Sequence, residues 1–347
     1  MRLIKEVGKA RILNPLKGFE LEEQELERRF DPLTGFSTIV AKGRFQYVKR
    51  FFEHDEQLLR KLAEASQPTC PFCPGKVEET TPKFPPEMVV EGRIKVGRCY
   101  AFPSLHAHSD LNAVVVLGPK HYLSLKEMNG NLLYEGFKAG LEVLRSVHSA
   151  NPSLSFASLI MNYLPTAGSS IIHPHMQVLA SSLPFNYLRL LLAKSFEHYL
   201  NTASNYWKKL IEYEEMMGER FIGMHGNVAW LAPFAPSRHF EVWGIVQDNS
   251  DLLSLSDMDL RRIAEGLAKV LSFYHNKGLF SFNFALYASP LGRPLEYFNV
   301  IIRVCARLGL KEPFLNDFWA MPALLMENEI VELPEEYALA IKQCFKE

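Results

Sequence analysis

The chain has 347 residues, of which 48% are hydrophobic and 24 are phenylalanine, with a formal net charge of −1. That length and apolar content can build a large core, as two domains or one large one, and the near-neutral charge gives no electrostatic reason to expect nucleic acid. No stretch spans a membrane, and Met1-Arg2-Leu3-Ile4-Lys5-Glu6 lacks an apolar core followed by a small-residue cleavage site, so a cytoplasmic protein is expected.

The first chemical signal along the chain is Cys70-Pro71-Phe72-Cys73-Pro74-Gly75, a cysteine pair spaced by two residues with a glycine just behind it. This is half of a tetrahedral zinc site. No second pair exists, so histidines or carboxylates must complete it, while Cys99, Cys305 and Cys344 show no pairing and read as reduced thiols. His106 and His108 alternate and share a face in an extended segment, yet scattered surface histidines are common and these read as such. The run Val114-Val115-Val116-Leu117 predicts a strand that leads through Gly118-Pro119-Lys120 to His121. A Leu123-Ser124-Leu125 turn follows, then an amphipathic helix carrying Glu135-Gly136, then a strand at Ser158-Leu159-Ile160-Met161.

The same order recurs at an offset of 130 residues, with Gly244-Ile245-Val246, Leu253-Ser254-Leu255, Glu265-Gly266 and the strand Phe282-Asn283-Phe284-Ala285-Leu286. A duplicated α+β unit is the reading, with antiparallel sheets and packed helices, divided into residues 1–190 and 191–347.

Between these copies stands Asn162-Tyr163-Leu164-Pro165-Thr166-Ala167-Gly168-Ser169-Ser170-Ile171-Ile172-His173-Pro174-His175-Met176-Gln177. Pro174 fixes its own φ and pushes His173 into the extended region, so the two imidazoles lie on one face. Gly168 can adopt backbone angles closed to other residues, and the N–H groups of Gly168, Ser169 and Ser170 are expected to form an anion-binding concavity near His175. In the second copy the corresponding strand reads Phe298-Asn299-Val300-Ile301-Ile302-Arg303-Val304, without a nucleophile.

The His-Pro-His-Met-Gln run resembles the active-site segment of the galactose-1-phosphate uridylyltransferase family, a branch of the histidine-triad superfamily, and Arg29-Phe30-Asp31-Pro32-Leu33-Thr34-Gly35 is similar to that family's opening motif. The resemblance reaches from about Arg28 onward. It implies two histidine-triad-like halves, a dimer, and transfer of a nucleotidyl group from a nucleoside diphosphate sugar to a sugar 1-phosphate through a covalent intermediate on His175. Gln177 would donate to a phosphoryl oxygen, and Asn162, Gly168 and Ser170 fall at the matching distances as phosphate ligands, with Ser169 in the same turn. The resemblance also completes the zinc site as Cys70, Cys73, His121 and His173, and offers Arg44 as a phosphate contact.

Other family features depart here. A second, histidine-built metal site would fall on Tyr287, Ile301 and Arg303, so its absence is expected. The sugar-binding glutamate and a preceding lysine align with Met321-Pro322-Ala323 and Asp317, so strict preference for galactose 1-phosphate is not expected unless Glu327 or Glu329 takes that part. No Asn-Asp-Phe element is evident in Tyr100-Ala101-Phe102-Pro103-Ser104-Leu105. The resemblance makes uridylyl transfer the first expectation, with an ADP-sugar phosphorylase or adenylyltransferase and a non-catalytic nucleotide-sugar-binding protein as alternatives.

Overall fold

The computed structural model describes residues 1–346, apart from the side chains of Lys42, Phe45 and Gln46. Strands β1 (Ile4–Asn14) and β2 (Glu20–Phe30) form an exposed antiparallel ribbon, turned by a 3-10 segment that ends on Gly18 at φ 63°. Basic residues of β1 face acidic ones of β2, as in Lys9–Glu23 at 2.8 Å. The Arg-Phe-Asp-Pro-Leu-Thr segment that follows is a structural corner. Asp31 accepts from Leu33 N, Thr34 N and Thr34 Oγ1 at 3.1, 2.7 and 2.8 Å, and Arg29 pairs with Glu335 at 2.8 Å. After the corner, β3 (Ser37–Val40) pairs with β2. Helices α1 (Phe45–Lys49), α2 (Glu56–Ser66, capped by Asp55) and α3 (Lys76–Thr80) lead into the main sheet.

That sheet has ten strands, every neighbouring pair antiparallel. The first half supplies β4 (Ile94–Val96), β5 (Cys99–Pro103), β6 (Leu111–Val116), helix α4 (Gly130–Ala150), β7 (Phe156–Tyr163) and β8 (His175–Ser181). Helices α5 (Asn186–Thr202) and α6 (Tyr206–Met217) intervene. The second half supplies β9 (Phe221–His225), β10 (Val228–Leu231), β11 (Val242–Val246), helix α7 (Asp257–Asn276), β12 (Ser281–Tyr287) and β13 (Ile301–Arg307). The spatial order is β4-β5-β6-β8-β7-β12-β13-β11-β10-β9. Read outward from the β7–β12 seam, β7-β8-β6-β5 and β12-β13-β11-β10 have the same connectivity, with α4 and α7 at the same point of each.

Sequence accounts for this packing in one detail shared by both helices. A Cβ on Gly136 would lie 2.5 Å from Leu117, and one on Gly266 would lie 2.4 Å from Trp230. Only glycine lets each helix approach its strands so closely. Both helices cover one face of the sheet, over a core that includes Val115, Met176, Val178, Phe282 and Val304. On the opposite face, α5 and α6 cover the second half through Trp207, Leu210 and Trp243, and the Cys-Pro-Phe-Cys loop covers part of the first through Phe72, Phe102 and Val116.

The mixed α+β architecture with antiparallel sheets and packed helices is present as expected. Among the described residues, two strand pairings cross the division expected at 190/191. The main sheet is continuous through the β7–β12 pairing, and β14 (Asn328–Ile330) returns to pair with β3 in parallel before the final helix α8 (Pro334–Lys346). Among the described residues, no helix is long and apolar enough to cross a membrane.

Candidate active site and metal centre

Cys70, Cys73, His121 and His173 converge, all buried, with their ligand atoms within 4.8 Å of one another. The cysteine loop turns through Gly75 at φ 84°, His121 lies just past β6, and His173 lies two residues ahead of β8. The distances fit a bound ion. Zinc bonds of about 2.3 Å to sulfur and 2.05 Å to nitrogen at a tetrahedral angle separate the two atoms by about 3.6 Å. Here Cys73 Sγ lies 3.5 Å from His121 Nδ1 and 3.7 Å from His173 Nδ1, and Cys70 Sγ lies 3.9 Å from His173 Nδ1.

Partners outside the cluster set both tautomers. The Nε2–H of His173 donates to the carbonyl of Gly118 at 2.9 Å, which leaves the Nδ1 lone pair facing the cysteines. Ser66 Oγ donates to Leu62 O at 2.8 Å, so it accepts from His121 Nε2–H at 2.9 Å, and that ring also turns Nδ1 inward. Burial, with His121 and His175 nearby, pushes His173 down to about 4, while burial and the neighbouring Cys70 push the Cys73 thiol up to about 11. The histidines are thus ready as neutral ligands, and the thiols need a cation to become thiolates.

The nucleophile candidate is tied to this cluster through one residue. The ring of His173 belongs to the cluster, while its backbone carbonyl accepts from His175 Nδ1–H at 2.9 Å. A carbonyl can only accept, so the proton sits on Nδ1 and Nε2 keeps its lone pair. Phe72, from between the two cysteines, meets the His175 ring edge-on at 5.3 Å. Burial lowers the pKa of His175, partly opposed by the bond to His173, and keeps the ring neutral near pH 7.

Strand alternation brings the other polar groups to the same face. Along β8, His175 and Gln177 point away from the α4 side while Met176 and Val178 are buried beneath it. Gln177 pairs with Ile160, and Asn162 stands one rung beyond the Met161–Met176 pair, beside His175. Asn162 in turn pairs with Asn283 of β12.

The Gly-Ser-Ser turn differs from the expected concavity. Gly168 has φ 91° with open space where a side chain would be. Its N–H donates to Pro165 O at 2.9 Å, however, and the Ser169 N–H donates to Leu164 O at 3.2 Å, with the Ser169 hydroxyl turned to Ile171 O at 2.7 Å. The turn consumes these donors to hold its own shape. Ser170, exposed at the end of the turn, has no intramolecular hydrogen bond among the described residues.

Arg44 is not brought to His175 in this chain. It pairs with Glu329, beside a cavity of about 260 Å³ that also includes Asp317 and Trp319. Glu327 accepts from Ser37 Oγ at 2.8 Å, so both alternative glutamates are engaged. Asp317, at the position aligned with the family's lysine, forms an ion pair with Arg307 through two oxygens. His106 and His108 are exposed and lie outside the cysteine–histidine cluster.

At the positions of the family's second metal site, Ile301 is buried under α5 and α6. Arg303 donates to Glu241 Oε1 at 2.7 Å and Ser237 Oγ at 2.8 Å, and stacks over Tyr187 at 4.7 Å. Arg303 and Tyr287 line a cavity of about 420 Å³ at the seam of the halves, together with Asn162, Asn283 and Glu241. Sequence reasoning missed Phe72, Asn283 and Glu241 as members of the site. Phe72 carried a signal, since it stands inside the cysteine pair. Asn283 and Glu241 carried none.

No family model matches the chain. Over its whole length it is similar to an uncharacterized protein of Archaeoglobus fulgidus, 32% identical over 352 residues that cover 100% of each. It is also similar to ADP-glucose phosphorylase of Arabidopsis thaliana, 22% identical over 79% of this chain and 81% of that protein. A crystal structure of an ADP-glucose phosphorylase from the same plant, with bound ADP-glucose, matches with a TM-score of 0.70 at 17% identity, covering 92% of this chain and 99% of that one. A uridylyltransferase structure matches with a TM-score of 0.64 at 20% identity, covering 92% and 98%. The chain belongs to one family with the Archaeoglobus protein, and its fold is similar to that of the ADP-glucose phosphorylase and uridylyltransferase structures, with the His-Pro-His-Met-Gln segment running into β8 of the main sheet.

Proposed function

We propose that this protein transfers a nucleotidyl group from a nucleoside diphosphate sugar to a phosphate-bearing acceptor through a covalent intermediate on His175. The observation that carries this reading is the 2.9 Å bond from His175 Nδ1–H to the His173 carbonyl, which leaves Nε2 as a fixed, neutral nucleophile on an open sheet face. In the first step the Nε2 lone pair attacks the α-phosphorus, an N–P bond forms, and the P–O bond to the departing sugar 1-phosphate breaks. In the second, a phosphate oxygen of the acceptor attacks the same phosphorus and the N–P bond breaks. A phosphorylated imidazole is again a good leaving group. Gln177 and Asn162 donate to phosphoryl oxygens as charge shifts during transfer, and Ser170 with the Gly168 turn borders the same space.

Cys70, Cys73, His121 and His173 hold zinc with no open coordination position, so the ion is structural. The enzyme acts as a homodimer, in which Arg44 reaches a phosphate in the partner's site. The 1–190 and 191–347 halves descend from one duplicated unit, a reading supported by their matching strand order and by the paired glycines Gly136 and Gly266.

The first reading of the substrates is a UDP-sugar with a hexose 1-phosphate as acceptor. A second reading, adenylyl transfer from an ADP-sugar to inorganic phosphate, is favoured by the sequence similarity to ADP-glucose phosphorylase. UDP-glucose and ADP-glucose labelled at the α-phosphorus test both. The adduct is acid-labile and alkali-stable, His175→Gly abolishes it, and the faster donor identifies the base. Labelling that survives in His175→Gly refutes the assignment.

A further inference from the structure

The polar groups at the seam form a chain in which every donor and acceptor is determined. It starts in the C-terminal segment, where Asp317 accepts from Arg307 Nε at 2.8 and 2.9 Å and from Nη2. Arg307 then donates through Nη1 to Asn283 Oδ1. A guanidinium has no acceptor, so the side of the Asn283 amide facing Arg307 is its oxygen, irrespective of how an amide is otherwise oriented. The Asn283 nitrogen therefore faces the other way. It donates to Asn162 Oδ1 at 2.6 Å and to Ala167 O at 2.9 Å. With Oδ1 occupied as an acceptor, Asn162 turns its own Nδ2 donors outward beside His175.

This polarity is what a phosphoryl oxygen requires, since it can only accept. Were the Asn162 amide reversed, its oxygen would face the phosphate and repel it. Among the described residues, the hydrogen bond that fixes the Asn162 amide is the one from Asn283. The bracing extends to the turn as well. Thr166 Oγ1 donates to Ser281 Oγ at 2.9 Å, and Ser281 Oγ donates to Leu308 O at 2.8 Å, so the same strand of the second half anchors the segment leading to Gly168.

We infer that Asn283 is a positioning residue for nucleotidyl transfer: supplied by the second half, it holds the Asn162 amide with its nitrogen toward the phosphate, and Asp317 through Arg307 sets the direction of that hold. The inference rests on the reading of Asn162 as a phosphate ligand. It gives the second half, which lacks a nucleophile, a part in the chemistry of the first, and it connects the C-terminal segment to the reacting phosphate without contact between them.

The test is a double-mutant cycle on the rate of His175 labelling in single turnover, with ADP-glucose and UDP-glucose labelled at the α-phosphorus as probes and the faster one followed. Asn162→Ala, Asn283→Ala and the double variant are compared, with melting temperature and zinc content measured on each. A misplaced phosphate ligand slows a reaction by up to roughly 100-fold, so Asn283→Ala is expected to slow labelling by roughly 10- to 100-fold at unchanged zinc content. In the Asn162→Ala background the same change should cost less than about threefold, because coupled residues are not additive. Asn283→Asp, which keeps the size but replaces the donor by a charged acceptor facing Asn162 Oδ1, should be at least as slow as Asn283→Ala, and Arg307→Lys, which keeps a donor toward Oδ1, should be faster than Arg307→Met.

A normal rate in folded Asn283→Asp with a slow Asn162→Ala overturns the positioning role and leaves the Asn162 reading intact. Equal losses from Asn283→Ala in both backgrounds overturn it too, since they show an effect that bypasses Asn162. A normal rate in Asn162→Ala, or no labelling from either probe in the unmutated protein, removes the underlying reading and the positioning role with it.

Discussion

Removing the metal should slow His175 before it unfolds the protein, and the structure gives the size of the effect. The His173 ring is one of four ligands, and its carbonyl is the acceptor that holds His175 Nδ1–H at 2.9 Å. When Nε2 bonds to phosphorus the imidazole becomes cationic, so this hydrogen bond strengthens in the step that matters. A hydrogen bond to a charged group is worth about 1.5–3 kcal/mol, and about 1.4 kcal/mol is tenfold in rate. Release of His173 should therefore slow adduct formation by roughly 10- to 150-fold. The assay strips the protein with a chelator at a temperature where circular dichroism shows the fold retained, then measures labelling in a quenched single turnover and metal by elemental analysis. Protein as purified should contain about one zinc per chain, as a single closed site requires. Cys73→Ser should lower metal content, melting temperature and labelling rate together. A folded, metal-free protein that labels at the full rate would refute the argument that the cluster orients the nucleophile.

Gln177→Ala should lower kcat by roughly 10²–10³-fold, the cost of removing one preorganised donor, with zinc content unchanged; a loss below about threefold on the same assay excludes Gln177 from the reacting phosphate. Gly168→Val should cost about 1–2 kcal/mol through the backbone alone, since φ is 91° and nothing lies within 4 Å of the added Cβ. Melting temperature and labelling rate should both fall, and an unchanged rate means that the turn's conformation is not used. The labelling rate should stay level as pH falls from 8 to the ordinary histidine range near about 6.5, because burial lowers the His175 pKa and the neutral ring is the reactive form. It should decline only below that range, and a decline centred at or above it would show that His175 is not shielded as the structure has it.

Contiguity decided what was legible in the sequence. Cys70 with Cys73 and His173 with His175 stand close enough in the chain for spacing to state their geometry. His121, 48 residues beyond Cys73, was reached only through the family resemblance. The Gly168 turn was legible as a bend but not as a donor set, because spacing does not say which carbonyls the N–H groups find, and Pro165 and Leu164 take two of them. Alignment places Asp317 opposite the family's lysine but does not show its partner, since Arg307 is held in place by β13 and no local pattern couples the two. Asn283 gave no signal in Phe282-Asn283-Phe284, where alternation says only that it faces away from the core. Its importance comes from the β7–β12 seam, and no propensity in the sequence specifies which strands meet there.

The seam also sorts the charges of the site. Arg303, in the lining of the 420 Å³ cavity, is neutralised by Glu241, and Arg307, which holds Asn283 at that lining, by Asp317, whereas Arg238 in the same lining donates to the neutral Ser237 O at 2.6 Å and Asn328 Oδ1 at 2.9 Å. Apart from Arg238 and the Arg303–Glu241 pair, what that cavity offers is amides, hydroxyls and aromatic rings, from Asn162, Asn283, Ser237, Tyr187 and Tyr287. Such a lining satisfies hydroxyl groups and apolar faces better than it satisfies a diphosphate, whose charge needs donors that are not already paired. Under the proposed reading, the phosphates therefore lie toward Ser170, Gln177 and the Asn162 amide, and an uncharged part of the substrate extends toward Arg303. The Arg303–Glu241 pair would then serve recognition by withholding its charge: a paired guanidinium still shapes and rigidifies the cavity wall, but it does not draw the phosphate away from His175.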